Sequence, residues 1–264
     1  MKNIASIQDK NELEVFLRKN PPLHIYSIGD LDDFYWKYTK WYGLKDEDTL
    51  KAVVLLYNAV NPPVLLALCK KEELTDMNEL LSCILQNLPK RFYSHLTPGV
   101  EKVFGKNYSI LQNGNYCKML LVDNKILCNA ATDDVVRLTS NDIHALEELY
   151  SESYPENSFD PRMLETGMYF GIKEGEKVIS VSGVHVYSKH YRVAALGNIT
   201  THRDRRGKGL GTKVTVRLCQ ELVNHADVIG LNVSIHNISA IRCYEKIGFR
   251  RIALYNEFMI EKSI

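Results

Sequence analysis

Long apolar runs are missing from this 264-residue chain. No stretch approaches the roughly 20 residues that cross a bilayer. The N-terminal Met1-Lys2-Asn3-Ile4-Ala5 turns polar by Gln8-Asp9-Lys10-Asn11-Glu12, without the apolar core of a signal peptide. The sequence therefore predicts a cytoplasmic protein with no membrane partner. An excess of charge is missing too: 33 basic residues stand against 32 acidic ones, a net +1. No global field draws the chain to nucleic acid, so none is expected as a partner. The six cysteines, Cys69, Cys83, Cys117, Cys128, Cys219 and Cys243, are scattered without a C-x-x-C pair. Reduced, structural thiols are expected, with no disulfide framework and no metal. What is present, 45% hydrophobic and 25% charged residues, is the balance of a globular protein with one large domain or two ordinary ones.

The most informative stretch is Arg206-Gly207-Lys208-Gly209-Leu210-Gly211-Thr212. An apolar strand, Ala194 to Thr201, leads into it, and a helix with Leu210, Val214, Leu218 and Leu222 on one face follows. Glycines let a ligand approach the backbone. Unpaired amides and the dipole at a helix N-terminus favour an anion. Arg203, Arg205, Arg206, Lys208 and Lys213 add positive charge around the turn. Strand, glycine turn and helix predict a pyrophosphate cradle. The spacing is not that of a P-loop, and Thr212 stands where the dinucleotide fingerprint needs its third glycine. What remains is R-x-x-G-x-G, with Arg206, Gly209 and Gly211 fixed.

Two further pieces follow. Asp227 to Ile235 reads as a buried parallel strand. Then Asn237 can cap a helix whose Ala240, Ile241, Tyr244 and Ile247 share a face, Gly248 can end it, and Phe249 opens a last strand to Ile260. R-x-x-G-x-G followed by N-x-x-A-x-x-x-Y-x-K-x-G-F resembles the paired signatures of the GNAT N-acetyltransferases. Within that family, the approach Leu196-Gly197-Asn198-Ile199-Thr200-Thr201-His202 looks most like the branch near the glycine N-acyltransferases.

The resemblance implies acetyl-CoA as co-substrate, and it implies the site residues. The main chain of Ile199, Thr200 and Thr201 would receive pantetheine as an added strand. Arg206, Gly207, Lys208, Gly209, Leu210, Gly211 and Thr212 would hold the pyrophosphate, and Asn237 would bond the pantetheine arm. Tyr244 would be the catalytic acid that protonates the leaving thiolate. Many relatives place a glutamate on the strand before the glycine turn. Arg192 to Thr200 contains no carboxylate here. His185, His190, Glu165 and a water held by Asn198 remain open as the base, as does attack by an already neutral amine.

The predicted fold class is α/β (α+β): a C-terminal GNAT domain over 133–264, with a mixed central sheet flanked by helices, and an N-terminal α/β domain over 1–127. In the C-terminal part, strands are expected at Val135–Leu138, Met168–Lys173, Val178–Tyr187 and Arg192–Thr201, and helices after Thr139 and Asp160. In the N-terminal part, the expected elements are a helix over Asn11–Lys19, strands at Leu50–Tyr57 and Val64–Cys69, a helix with Leu74, Met77, Leu81 and Leu85, and strands at Arg91–Ser94 and Tyr108–Val122. This order echoes the C-terminal half. A degenerate second copy of the fold and an unrelated α+β domain both fit. In the first case Cys69-Lys70-Lys71-Glu72-Glu73-Leu74 stands for the glycine turn, and its carboxylates exclude CoA. The aromatic stretch Asp30 to Tyr42 reads as core or interface packing.

The leading reading is acyl transfer from acetyl-CoA to the amine of a small or amino-acid-like acceptor by direct attack. The alternative, motivated by the missing glutamate, is a non-catalytic acyl-CoA-binding or regulatory module. The acceptor would be set by Tyr150 to Gly167 and Phe249 to Met259, where no motif is legible. A homodimer stays open.

Overall fold

The computed structural model describes residues Lys2 to Ser263. The chain forms two compact units. The first takes Met1–Lys118, Ser234–His236 and Ile252–Ile264; the second takes Met119–Val233 and Asn237–Arg251.

The first unit holds β1 (Lys2–Ser6), α1 (Lys10–Leu17), α2 (Ile25–Gly29), α3 (Asp33–Trp36), β2 (Thr39–Asp46), β3 (Thr49–Tyr57), β4 (Val64–Ala67), α4 (Leu74–Ile84), β5 (Arg91–Leu96) and most of β6 (Tyr108–Leu121). The second holds α5 (Lys125–Asn129), β7 (Val136–Arg137), α6 (Ile143–Ser153), β8 (Phe170–Glu174), β9 (Lys177–Ser188), β10 (Val193–Thr201), α7 (Leu210–Leu222), β11 (Val228–Ser234), α8 (Ile238–Ile247) and the first residues of β12 (Phe249–Lys262).

In the second unit β7, β8, β9 and β10 form an antiparallel run, and β11 then joins β10 in parallel. The parallel pair needs a crossover, which α7 supplies. The stripe read from the sequence does the packing: Val214, Leu218 and Leu222 are buried. Thr139 and Asp142 cap each other ahead of α6, as their spacing predicts. Gly175, at φ 61°, turns the β8–β9 hairpin. The helix expected from Asp160 is instead a short 3₁₀ turn, Pro161–Thr166, stopped by left-handed Gly167. Asp160 accepts from the Arg162 amide and proline takes the first position, so the start signal is used, but the run is too short to become an α-helix.

In the first unit the run β1, β2, β3, β4 is likewise antiparallel, and β5 joins β4 in parallel after α4. Each unit thus repeats one succession: four antiparallel strands, a crossover helix and a parallel fifth strand. Met77, Leu80, Leu81 and Ile84 of α4 pack into a core with Leu44, Val54, Leu65 and Phe92. The aromatic stretch is structural, since Tyr35, Trp41 and Tyr42 are buried and Trp36 stacks on Trp41. β1 is mostly exposed and carries no alternation, so no sequence signal marks it. Among the described residues, no helix is long and apolar enough to cross a membrane, and no group of three or more His, Cys, Asp or Glu side chains is placed to hold a metal.

Candidate active site

The site lies in the second unit, at the end of β10. Ala194, Ala195 and Leu196 are buried on a strand paired on both sides. The parallel ladder with β11 runs from Val193↔Val228 to Leu196↔Leu231 and goes no further. Gly197 to Thr201 continue β10 against β9 alone, with one register shift between Gly197 and Thr200; a second lies just before, between Ala195 and Leu196. The two parallel strands therefore part after Leu196.

A bulge creates the parting. Asn198 sits at φ 53°, a conformation that asparagine tolerates better than most residues. It is buried and held on every side. Its Oδ1 accepts from the Ser158 amide at 3.1 Å, its Nδ2 donates to the Tyr169 Oη at 3.0 Å, and its carbonyl accepts from the Tyr150 Oη at 2.8 Å. These bonds fix the backbone that precedes Ile199, Thr200 and Thr201. Thr201 is further tied to Ser180, Oγ to Oγ, at 2.8 Å.

The glycine turn follows. Gly207 and Gly209 both adopt φ 77°, and a Cβ built on either meets no atom within 4 Å, so the turn faces open space. α7 starts at Leu210 with Gly209 as its N-cap, no side chain caps it, and no acidic residue lies in its first turn. Lys213 N–H bonds to the Gly209 carbonyl at 3.0 Å. The amides of Leu210, Gly211 and Thr212 lie before that first intrahelical bond and face the turn. Gly211 lets the helix start lie against β10, because a Cβ there would come 3.3 Å from the Thr201 Oγ1. A strand edge that opens beside uncapped helix amides suits an anion carried on an extended arm.

The surrounding cations contribute less than their number suggests. Arg205 pairs with Glu174 at 2.8 Å, Lys213 with Asp134 at 2.5 Å, and Arg217 with Glu221 at 3.3 Å. Arg206 acts as a brace: its Nε donates to the Thr201 carbonyl at 3.1 Å and its terminal nitrogen to the Ser153 carbonyl at 3.0 Å. Lys208 and Arg203 stand outside these ion pairs. The backbone and helix dipole, more than the side chains, give the turn its positive character.

The residues of the second signature gather on α8. Asn237 caps the helix, its Oδ1 accepting from the Ala240 amide at 3.1 Å and from Ser239 Oγ at 3.0 Å. Tyr244 is buried, edge-on to Phe249 at 6.0 Å. A phenol is protonated at neutral pH, and burial pushes this one further above its ordinary value. The Thr212 hydroxyl contacts Cys243 Sγ at 3.1 Å, which fastens α7 to α8.

At the matching place in the first unit the ladder closes instead of opening. Thr97 N–H bonds to the Ala67 carbonyl at 3.2 Å, and the Thr97 hydroxyl bridges the Cys69 amide and carbonyl at 2.9 and 3.0 Å. The turn that follows holds Glu72 and Glu73 and no glycine. The Thr97 bridge could not have been found from sequence.

Residues 138–249 match the family model described as Acetyltransferase (GNAT) family. This part of the chain is a GNAT-family acetyltransferase domain. Over 61 residues the chain is 41% identical to the aminoglycoside N(6')-acetyltransferase type 1 of Klebsiella pneumoniae, which is 22% of this chain and 30% of that protein. Over 47 residues it is 51% identical to a kanamycin resistance protein of Rhizobium radiobacter, 17% of this chain and 44% of that one. The chain thus spans less than half the length of these relatives. A solved tandem GNAT protein from the clavulanic acid biosynthesis pathway shares the fold at a TM-score of 0.60 and 10% identity, covering 100% of this chain and 99% of that one.

Proposed function

We propose that the protein is an acetyl-CoA-dependent N-acetyltransferase that acylates the amine of a small molecule. The observation that carries this reading is the parting of β10 from β11 after Leu196, beside uncapped amides at Leu210, Gly211 and Thr212. Acetyl-CoA supplies a thioester whose carbonyl is the electrophile. Ile199 to Thr201 offer it a strand edge, Gly207 to Thr212 and the Arg206 turn cradle its pyrophosphate, and Asn237 reaches the pantetheine arm. A main-chain N–H of the open edge stabilises charge as it develops on the carbonyl oxygen. Tyr244, a phenol that is protonated at neutral pH, gives its proton to the departing sulfur.

The similarity to aminoglycoside acetyltransferases supports an amine acceptor. Tyr150 to Gly167 and the start of β12 would select it. The first unit repeats the strand succession with its edge closed by Thr97, and we read it as a degenerate copy of the domain that holds no CoA. Release of free CoA thiol is measured with a panel of amines, kanamycin and amino acids among them. Amine-dependent release supports the reading; none from a folded protein that binds CoA points to an acyl-CoA-binding module.

A further inference from the structure

β10 carries no carboxylate, so the proton lost by the attacking amine needs another acceptor. Three of the candidates are poorly placed. His190 is exposed beyond the end of β9, edge-on to Tyr191 at 4.6 Å. Glu165 is exposed in the 3₁₀ turn Pro161–Thr166. The Asn198 amide is committed at both ends, to Ser158 and to Tyr169, and is unsuited to holding a reactive water.

His185 is different. The β9–β10 register passes from Val186↔Ala195 to Val184↔Leu196, which leaves His185 as the extra residue of a bulge. Bulges re-aim a side chain out of the normal alternation. Its half-buried ring lies across Gly197: a Cβ added to that glycine would come 1.7 Å from Cδ2 and 2.2 Å from Nε2. Only glycine leaves room for the imidazole there. Gly197 is also the first residue of β10 past the end of the β11 ladder. The ring therefore lies against the main chain where the two parallel strands part.

From this geometry we infer that His185 is the catalytic base of the acetyl transfer, an assignment that rests on the N-acetyltransferase reading. The amine nitrogen bonds to the thioester carbonyl carbon, and its proton passes to the neutral imidazole. As the carbon–sulfur bond breaks, Tyr244 protonates the sulfur, and the imidazolium proton returns the tyrosinate to phenol through solvent. The products are the amide and free CoA thiol, with both groups restored. Imidazole can accept a proton at one ring nitrogen and give it up again, as a general base must.

The test uses the full chain and His185→Ala, with CoA affinity measured by calorimetry and turnover by thiol release. Turnover is expected to fall about 100-fold, the scale of a lost general base, while CoA affinity stays within twofold. Added imidazole and its ring-substituted analogues are expected to restore turnover, more strongly the more basic the analogue. A packing role would not produce that dependence on basicity. Undiminished turnover in His185→Ala overturns the assignment, as does recovery by His185→Gln, which fills the space without a base. If the alanine variant does not fold, His185→Gln is measured alone, and wild-type turnover in it overturns the assignment. A wild type that releases no CoA with any amine takes down both readings; an active wild type beside an equally active variant takes down only this one.

Discussion

The phenol of Tyr150 on α6 donates to the main-chain carbonyl of Asn198 over 2.8 Å, between two buried groups. Together with the bonds from Ser158 and to Tyr169, it holds the bulge that turns β10 away from β11. Tyr150→Phe keeps the ring and leaves that carbonyl unpaired. It is expected to cost about 1–3 kcal/mol in chemical denaturation and to weaken CoA binding. Wild-type CoA affinity in this variant would show that the bulge does not depend on the bond.

Tyr244→Phe separates catalysis from binding. The phenol is buried and has its pKa raised, so its loss removes a proton donor while the helix face remains packed. A fall in kcat of about 100-fold or more with CoA affinity unchanged is expected. Equal kcat in the two proteins would remove Tyr244 from the chemistry.

The first unit should not bind CoA. Thr97 closes its strand edge through both polar groups of Cys69, and Thr97→Val deletes two hydrogen bonds there. The variant is expected to lose roughly 2 kcal/mol of stability, while calorimetry still finds one CoA per chain. A stoichiometry of two in the wild type would contradict the closed edge.

Asp30, at the end of α2, is buried, and loss of hydration raises its carboxyl from 3.8 to about 8. Between those values the folded protein holds a proton that the unfolded chain has lost. Its contribution is therefore full below pH 4 and is lost as pH rises toward 8, with a slope of up to about 1.4 kcal/mol per pH unit. Against Asp30→Asn, which does not titrate, the wild type is expected to lose melting temperature progressively from pH 5 to pH 8. Parallel curves for the two proteins would refute the buried, protonated carboxyl.

Much of this was legible in the residues. The stripe of α7, the Thr139 capping box, the glycine turn and the Asn237 cap are local patterns, and local patterns survive folding. The resemblance implied a strand edge at Ile199 to Thr201 that receives pantetheine, but not what opens it: Asn198 at positive φ, clamped by Tyr150, Ser158 and Tyr169, joins segments 29 to 48 residues apart. The basic cluster read as a charge on the turn, yet Arg205 and Lys213 are paired with carboxylates that no spacing rule connects to them, whereas Arg217 and Glu221 form an i,i+4 pair on α7. β1 went unread because its mostly exposed residues carry no alternation. His185 was one candidate among several until the β9 bulge laid it against Gly197.

The central claim is a single CoA site built on the glycine turn. Calorimetric titration with acetyl-CoA, on the wild type and on Gly209→Glu, tests it most directly. The account predicts micromolar binding at one site per chain, abolished by a carboxylate placed where the pyrophosphate would lie. No binding by a folded wild type, or undiminished binding by a folded Gly209→Glu, would contradict it.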